Sequence, residues 1–264
     1  MRIFFNKLGK GSALIILHGI YGKGDNWLHI AQYLKNNFTV YLPDMRNHGK
    51  SLNTVDFGYN IMVQDLYELI QEEHLEQVSL MGHSMGGRVA MRFAELYGHI
   101  IKQLIIIDIA PITYQSRKRL LPTFYSQSEI AKAIINLPIA NISTIEEADS
   151  ELAKTLPLKE VRDFILQNLK RDNNNKLYWQ INLPPIIDKL EEIILGDKTM
   201  TEPIDCLTLF IKGEYSGYLT LNDYETIELF FPNMDFKVVK GAGHWLYNDK
   251  PEEFKRLITK FLSV

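Results

Sequence analysis

The sequence predicts an α/β fold: a mostly parallel central sheet flanked by helices, interrupted by a helical insertion after a strand that ends at Asp108. Three observations predict it. Short β-prone apolar runs alternate with segments whose apolar residues recur at helical spacing, as in parallel sheets covered on both faces. The stretch from Val78 to Met91 joins one such strand to one such helix through Gly82-His83-Ser84-Met85-Gly86. From Ile112 to about Pro203 long strands give way to helical segments and loops.

Arg2 to Phe5 reads as a first strand, and the turn Lys7 to Gly11 is expected to pair it with a second, Ala13 to Leu17. That strand ends in His18-Gly19 and a glycine-bearing loop. Asp25 or Asn26 can cap a helix from Trp27 to Leu34, with Leu28, Ala31 and Leu34 facing inward. Thr39 to Leu42 is β-prone and stops at Pro43, where a polar loop runs to Ser51. A helix is expected from Asn60 to Glu72, then the strand before Gly82, a helix from Gly87, and the apolar strand Gln103 to Ile107.

Within the insertion, helices are expected at Ser128 to Leu137, Ile145 to Leu156, Leu158 to Leu169 and Ile186 to Leu195, with an extended start at Tyr178. The sheet resumes at Leu207 to Ile211 and Phe236 to Val239, with helices at Leu221 to Phe230 and Pro251 to Leu262. The expected division is 1–111 and 204–264 for the core and 112–203 for the insertion. Functional groups in such a sheet gather beyond the carboxyl ends of its strands.

A chain of 264 residues can bury one sizeable core. Its net charge of -3 and 23% charged residues give no footprint for nucleic acid. No apolar run reaches membrane-spanning length and the N-terminal run is short for a signal peptide, so no stable membrane insertion is expected and cytoplasmic residence is. The single cysteine, Cys206, lies in an apolar strand-like run and forms no intrachain disulfide. Oligomeric state is left open.

Gly82-His83-Ser84-Met85-Gly86 reads G-x-S-x-G, a sharp strand-to-helix turn that presents a serine hydroxyl as a nucleophile. A glycine-rich turn can also cradle phosphate, but no Lys-Ser/Thr follows at P-loop spacing and no G-x-G-x-x-G is present. His244, the last histidine, sits in a glycine-flanked loop after a strand, where it can act as base for Ser84. The alternatives are a structural turn serine and a loop histidine packed by Trp245. His18, His48 and His83 have no metal-site spacing, so neither metal nor cofactor is expected.

His18-Gly19, Asp44 to Ser51, Gly82 to Gly87, Asp108 to Pro111 and Gly243-His244-Trp245 together resemble the α/β-hydrolase superfamily. More narrowly, Asp44 to Gly49, Gly82 to Gly87 and Asp108 to Pro111 are similar to a bacterial esterase group that acts on short acyl and thioester substrates. That group is related to a mitochondrial α/β-hydrolase-domain protein. The resemblance spans almost the whole chain and is weakest through the insertion, which it makes a helical lid.

Across the superfamily the triad acid most often follows the strand here placed at Leu207 to Ile211. The corresponding position falls near Ser216, which has no carboxylate. Asp108 ends the strand after the nucleophile, and the resembled group draws its acid from this earlier position, so Asp108 is the expected acid. Glu214 is the alternative. The resemblance puts the oxyanion hole at the backbone N–H groups of Ile20 and Met85. Arg46 reads as a structural ion-pair partner, and Tyr114, Phe124, Tyr125, Phe164 and Trp179 are candidates to line an acyl pocket.

The implied chemistry is hydrolysis of a small or medium acyl ester or thioester through a Ser84 acyl-enzyme. A menaquinone-pathway lyase with a similar Gly-x-Ser-Met-Gly-Gly-Arg block, and a noncatalytic ligand-binding protein on this fold, are the alternatives.

Overall fold

Among the residues described by the computed structural model, 3–114, 127–196 and 200–263, nine strands occur. They are β1 (Phe5–Gly9), β2 (Ser12–Leu17), β3 (Phe38–Pro43), β4 (Val78–His83), β5 (Ile101–Ile107), β6 (Leu169–Arg171), β7 (Leu177–Trp179), β8 (Leu207–Gly213) and β9 (Met234–Val239). Seven form one sheet in the order β1-β3-β2-β4-β5-β8-β9, parallel except for β1 on β3. β6 and β7 make a separate antiparallel hairpin within the insertion.

The interior strands are apolar on both faces because both faces are covered. Ile15, Leu17, Leu80, Leu104, Ile106 and Phe210 belong to one core, while Leu14, Ile16, Met81, Ile105, Ile107 and Ile211 belong to the other.

The expected pairing of the first two strands does not form. β1 lies antiparallel on β3, from Phe5 opposite Pro43 to Gly9 opposite Thr39, and β2 enters between β3 and β4. The strand also begins later than predicted, at Phe5. Its sequence, Phe-Asn-Lys-Leu-Gly, is half polar and suits a sheet edge, whereas β2 can be buried on both sides.

The helices are α1 (Leu28–Leu34), α2 (Tyr59–Glu72), α3 (Met85–Tyr97), α4 (Gln127–Asn136), α5 (Ile145–Leu152), α6 (Lys159–Leu166), α7 (Leu183–Asp188), α8 (Leu190–Leu195), α9 (Tyr224–Phe230), α10 (Leu246–Asp249) and α11 (Pro251–Leu262). A 3-10 turn at Gly24–Trp27 precedes α1 and sets its phase: Trp27, Ile30, Ala31 and Leu34 face inward, and Leu28 is exposed. The single helix expected at Ile186 to Leu195 is two, broken at Lys189 with φ -103° and ψ 4°.

The chain between β5 and β8 joins the core on the α2/α3 side of the sheet. Ile130, Ile134, Ile165, Ile186 and Ile193 share that core with Met85 and Val89 of α3. These insertion residues therefore close over the carboxyl end of β4.

Candidate active site

Ser84 is the single residue between β4 and α3. Its backbone sits at φ 53° and ψ -117°, a conformation that L residues avoid and that the surroundings must hold in place. The Ser84 N–H donates to Ile107 O at 3.1 Å, and its carbonyl accepts from the Arg88 N–H at 3.1 Å. The flanking glycines are required by close approach. A Cβ at Gly82 would lie 2.3 Å from Gly86 O, and one at Gly86 would lie 2.6 Å from the carbonyl oxygens of Leu17 and His18.

Asp108 follows β5 at φ 53°, with its side chain fully buried. Oδ2 accepts from His244 Nδ1 at 2.7 Å and from the Ser216 hydroxyl; Oδ1 accepts from the Gly213 N–H at 3.1 Å. With the Nδ1 proton donated to Asp108, the neutral imidazole leaves Nε2 as an acceptor. Glu214 stands apart: it is exposed, and its Oε2 accepts the Gly241 N–H at 2.8 Å. Ser216, on the loop after β8, thus meets the carboxylate that follows the neighbouring strand β5.

His244 lies in the loop between β9 and α10, its ring 4.2 Å from Tyr218 and 4.5 Å from His83. His83 Nε2 donates to His244 O at 3.0 Å, which engages this ring with the loop that carries His244. Burial, reinforced by His244, pushes its pKa well below the ordinary histidine value, so it braces this loop as a neutral ring. Beneath, Lys212 Nζ donates to Gly213 O at 2.6 Å and to Glu214 O at 3.3 Å, shaping the loop that carries Ser216. Sequence reasoning missed both Lys212, whose role is to bond nearby carbonyls, and the Ser216 contact, which depends on β8 lying beside β5.

The parallel pairing of β2 with β4 sets Leu17 opposite Gly82 and brings the following loop to the nucleophile. A Cβ at Gly19 would stand 3.3 Å from the Ser84 Cβ. Met85 opens α3, so its N–H belongs to the helix end that has no intrahelical partner. Two buried histidines hold the loop around Ile20. His18 Nδ1 donates to Gly19 O at 2.8 Å and its Nε2 accepts from the Met45 N–H at 2.9 Å. His48 Nδ1 donates to Arg46 O at 2.9 Å and its Nε2 accepts from the Tyr21 N–H at 3.2 Å.

These bonds need both rings neutral, and burial pushes His18 down to about 4 and His48 down to about 3. Arg46 is engaged by Asp65 in a buried two-pronged pair at 2.6 and 2.7 Å.

Two small cavities, each about 20 Å³, meet at Ser84, Ile20 and Gln127. Each has room for about one water. One continues past His83, Phe164, Ile165, His244 and Trp245; the other past Met85, Arg88, Ile109, Ile193 and Tyr218. Of the residues proposed from sequence to line an acyl pocket, Phe164 lines the cavity that Ser84 shares with His244. Tyr114 instead bonds through its hydroxyl to the Ala110 N–H and the Tyr218 carbonyl, and Trp179 packs on the core from the β6–β7 hairpin. Both were misplaced because aromatic spacing does not distinguish packing from lining. Phe124 and Tyr125 lie outside the described residues. Gln127, Ile193 and Tyr218 were not foreseen.

A strained serine at a strand-to-helix turn, with a carboxylate-bound histidine sharing its cavity on a parallel sheet, defines a hydrolase class. Residues 12–251 match the alpha/beta hydrolase fold family, and the chain belongs to that family, as a serine hydrolase of the esterase and lipase kind. It is 33% identical to the sn-1-specific diacylglycerol lipase ABHD11 of Danio rerio over 98% of this chain and 81% of that one. It is 29% identical to Esterase YbfF of Escherichia coli, covering 96% and 93%. A solved marine microorganism esterase superimposes with a TM-score of 0.93 at 37% identity, covering 98% and 99%.

Proposed function

We propose that the protein hydrolyses small to medium acyl esters or thioesters, with Ser84 as nucleophile, His244 as general base and acid, and Asp108 as the triad carboxylate. The observation that carries this reading is the 2.7 Å bond from His244 Nδ1 to buried Asp108, in a ring that shares the Ser84 cavity. Ser84 Oγ attacks the carbonyl carbon as His244 Nε2 takes its proton. Charge develops on the carbonyl oxygen, where the backbone N–H groups of Ile20 and Met85 stabilise it.

His244 then gives the proton to the departing alcohol or thiol, and activates water to release the acid. Asp108 holds the ring in its Nδ1–H tautomer and stabilises the imidazolium. Residues 112–203 act as a lid whose inner side chains form the roof. No helix among the described residues is long and apolar enough to cross a membrane, and the proposed substrate is a small molecule.

The test is steady-state hydrolysis of p-nitrophenyl esters and matched acyl-CoA thioesters from acetyl to dodecanoyl, with Ser84→Ala as control. Turnover that disappears in Ser84→Ala is expected. Absence of turnover in both series, or equal turnover by the variant, overturns the reading.

A further inference from the structure

Three arginines are buried among the described residues: Arg46, Arg88 and Arg162. Arg46 is paired with Asp65 and Arg162 with Asp149. Arg88, 8% exposed, has no carboxylate partner among the described residues. Its Nη2 donates to Ile112 O at 2.7 Å, and its guanidinium lies 4.9 Å from the centre of the Tyr114 ring. Both partners are neutral. Its Nε–H is buried with no hydrogen-bond partner. A buried cation without a counterion is expensive, and this fold supplies one for each of the other two.

Arg88 also has a defined place relative to the chemistry. It follows Ser84 by four residues on α3, a rise of about 6 Å along the axis, and it lines the Ser84 cavity that extends away from His244. The leaving group must lie on the His244 side, because His244 protonates it. The acyl chain is then directed toward Arg88, into a space that holds about one water until the side chains of Gln127 and Ile193 give way to the ligand. Gly196, where a Cβ would lie 2.0 Å from Arg88 Nη1, leaves room for the guanidinium against this wall.

We propose that Arg88 recognises a carboxylate at the far end of a short acyl chain, so that the preferred substrates are half-esters or half-thioesters of small dicarboxylic acids. Among the described residues no carboxylate faces Arg88, and the substrate supplies one. A carboxylate accepts from the free Nε–H edge, while the Ile112 carbonyl and the Tyr114 ring hold the guanidinium in orientation. The inference deepens the ester-hydrolysis reading and rests on it.

The experiment compares ethanol release from monoethyl succinate and monoethyl glutarate with release from ethyl butanoate and ethyl pentanoate, for wild type, Arg88→Met, Arg88→Lys and Ser84→Ala. Wild type is expected to favour the half-esters at least tenfold in kcat/KM. Arg88→Met should lower that ratio by roughly 10- to 100-fold, the range of a charge-assisted hydrogen bond, mainly through KM, with Arg88→Lys intermediate. A second measurement requires no variant: glutarate should inhibit wild type competitively and more strongly than pentanoate. Ser84-dependent hydrolysis of neutral esters, with no carboxylate preference and no stronger inhibition by glutarate, overturns this inference alone. No Ser84-dependent hydrolysis of either series overturns the ester reading with it.

Discussion

Asp108 accepts three hydrogen bonds at a fully buried position, from His244, Ser216 and Gly213, and the last two are local to the β8 end. This division makes separate predictions for each partner. Asp108→Asn should fold and lose about 10⁴-fold in kcat, because an amide in this place favours the wrong histidine tautomer. Glu214→Gln should keep near-native turnover, since Glu214 meets Gly241 and not the imidazole. Steady-state kinetics on one ester distinguishes the two carboxylates; a near-native Asp108→Asn would transfer the role elsewhere.

Ser216→Ala removes one donor to a buried charge and should lower kcat by roughly tenfold, from the worth of a charged hydrogen bond. Ser84 and His244 stood out in the sequence through local motif and chain order. Asp108 stood out only once the neighbourhood of Ser216 was seen to lack the usual carboxylate. The contact between Asp108 and Ser216 spans 108 residues and needs the β5–β8 pairing, which no local pattern encodes.

The working elements are the turn at Ser84 and the loop after β2, and each depends on the other. Gly86 packs against the carbonyls of Leu17 and His18, so Gly86→Ala forces β2 and α3 apart. Much less folded protein is expected, with a lower thermal midpoint by circular dichroism. His48 acts at a distance from the serine: its Nε2 holds the Tyr21 N–H, and Tyr21, at φ 62°, follows Ile20 directly. His48→Ala should therefore misplace the Ile20 donor and lower kcat by about 10- to 100-fold with a smaller change in KM. Equal loss of folded protein and specific activity per folded molecule left unchanged would assign His48 to stability alone.

At this scale the sequence was most readable where apolar periodicity is strong, as in α11, whose predicted and observed limits coincide. It was least readable where neighbours decide. The order of β1, β2 and β3, the phase of α1 after its 3-10 turn and the break at Lys189 all depend on packing partners distant in sequence.

The whole molecule carries its site on buried neutral histidines, and this ties stability to pH. His18 and His48 have folded-state pKa values pushed down to about 4 and about 3 by burial, and His83 is lowered well below 6.5 for the same reason. In the unfolded chain each titrates near 6.5. As pH falls below 6.5 the unfolded state takes up protons that the folded state refuses, so it gains stability relative to the native state.

The contribution of these rings is fully present above pH 6.5 and is lost as pH falls from there toward about 4 for His18 and about 3 for His48. At full slope each ring costs about 1.4 kcal/mol per pH unit. Urea unfolding between pH 7.5 and 5 should therefore show a midpoint that is nearly flat at the upper end and falls steeply at the lower. His48→Gln, which titrates in neither state, should make the fall in stability shallower by up to about 1.4 kcal/mol per pH unit, the slope that one proton gives. An unchanged slope would mean that His48 takes up its proton in the folded protein as readily as in the unfolded chain, and the acceptance of the Tyr21 N–H by its Nε2 would have to be abandoned.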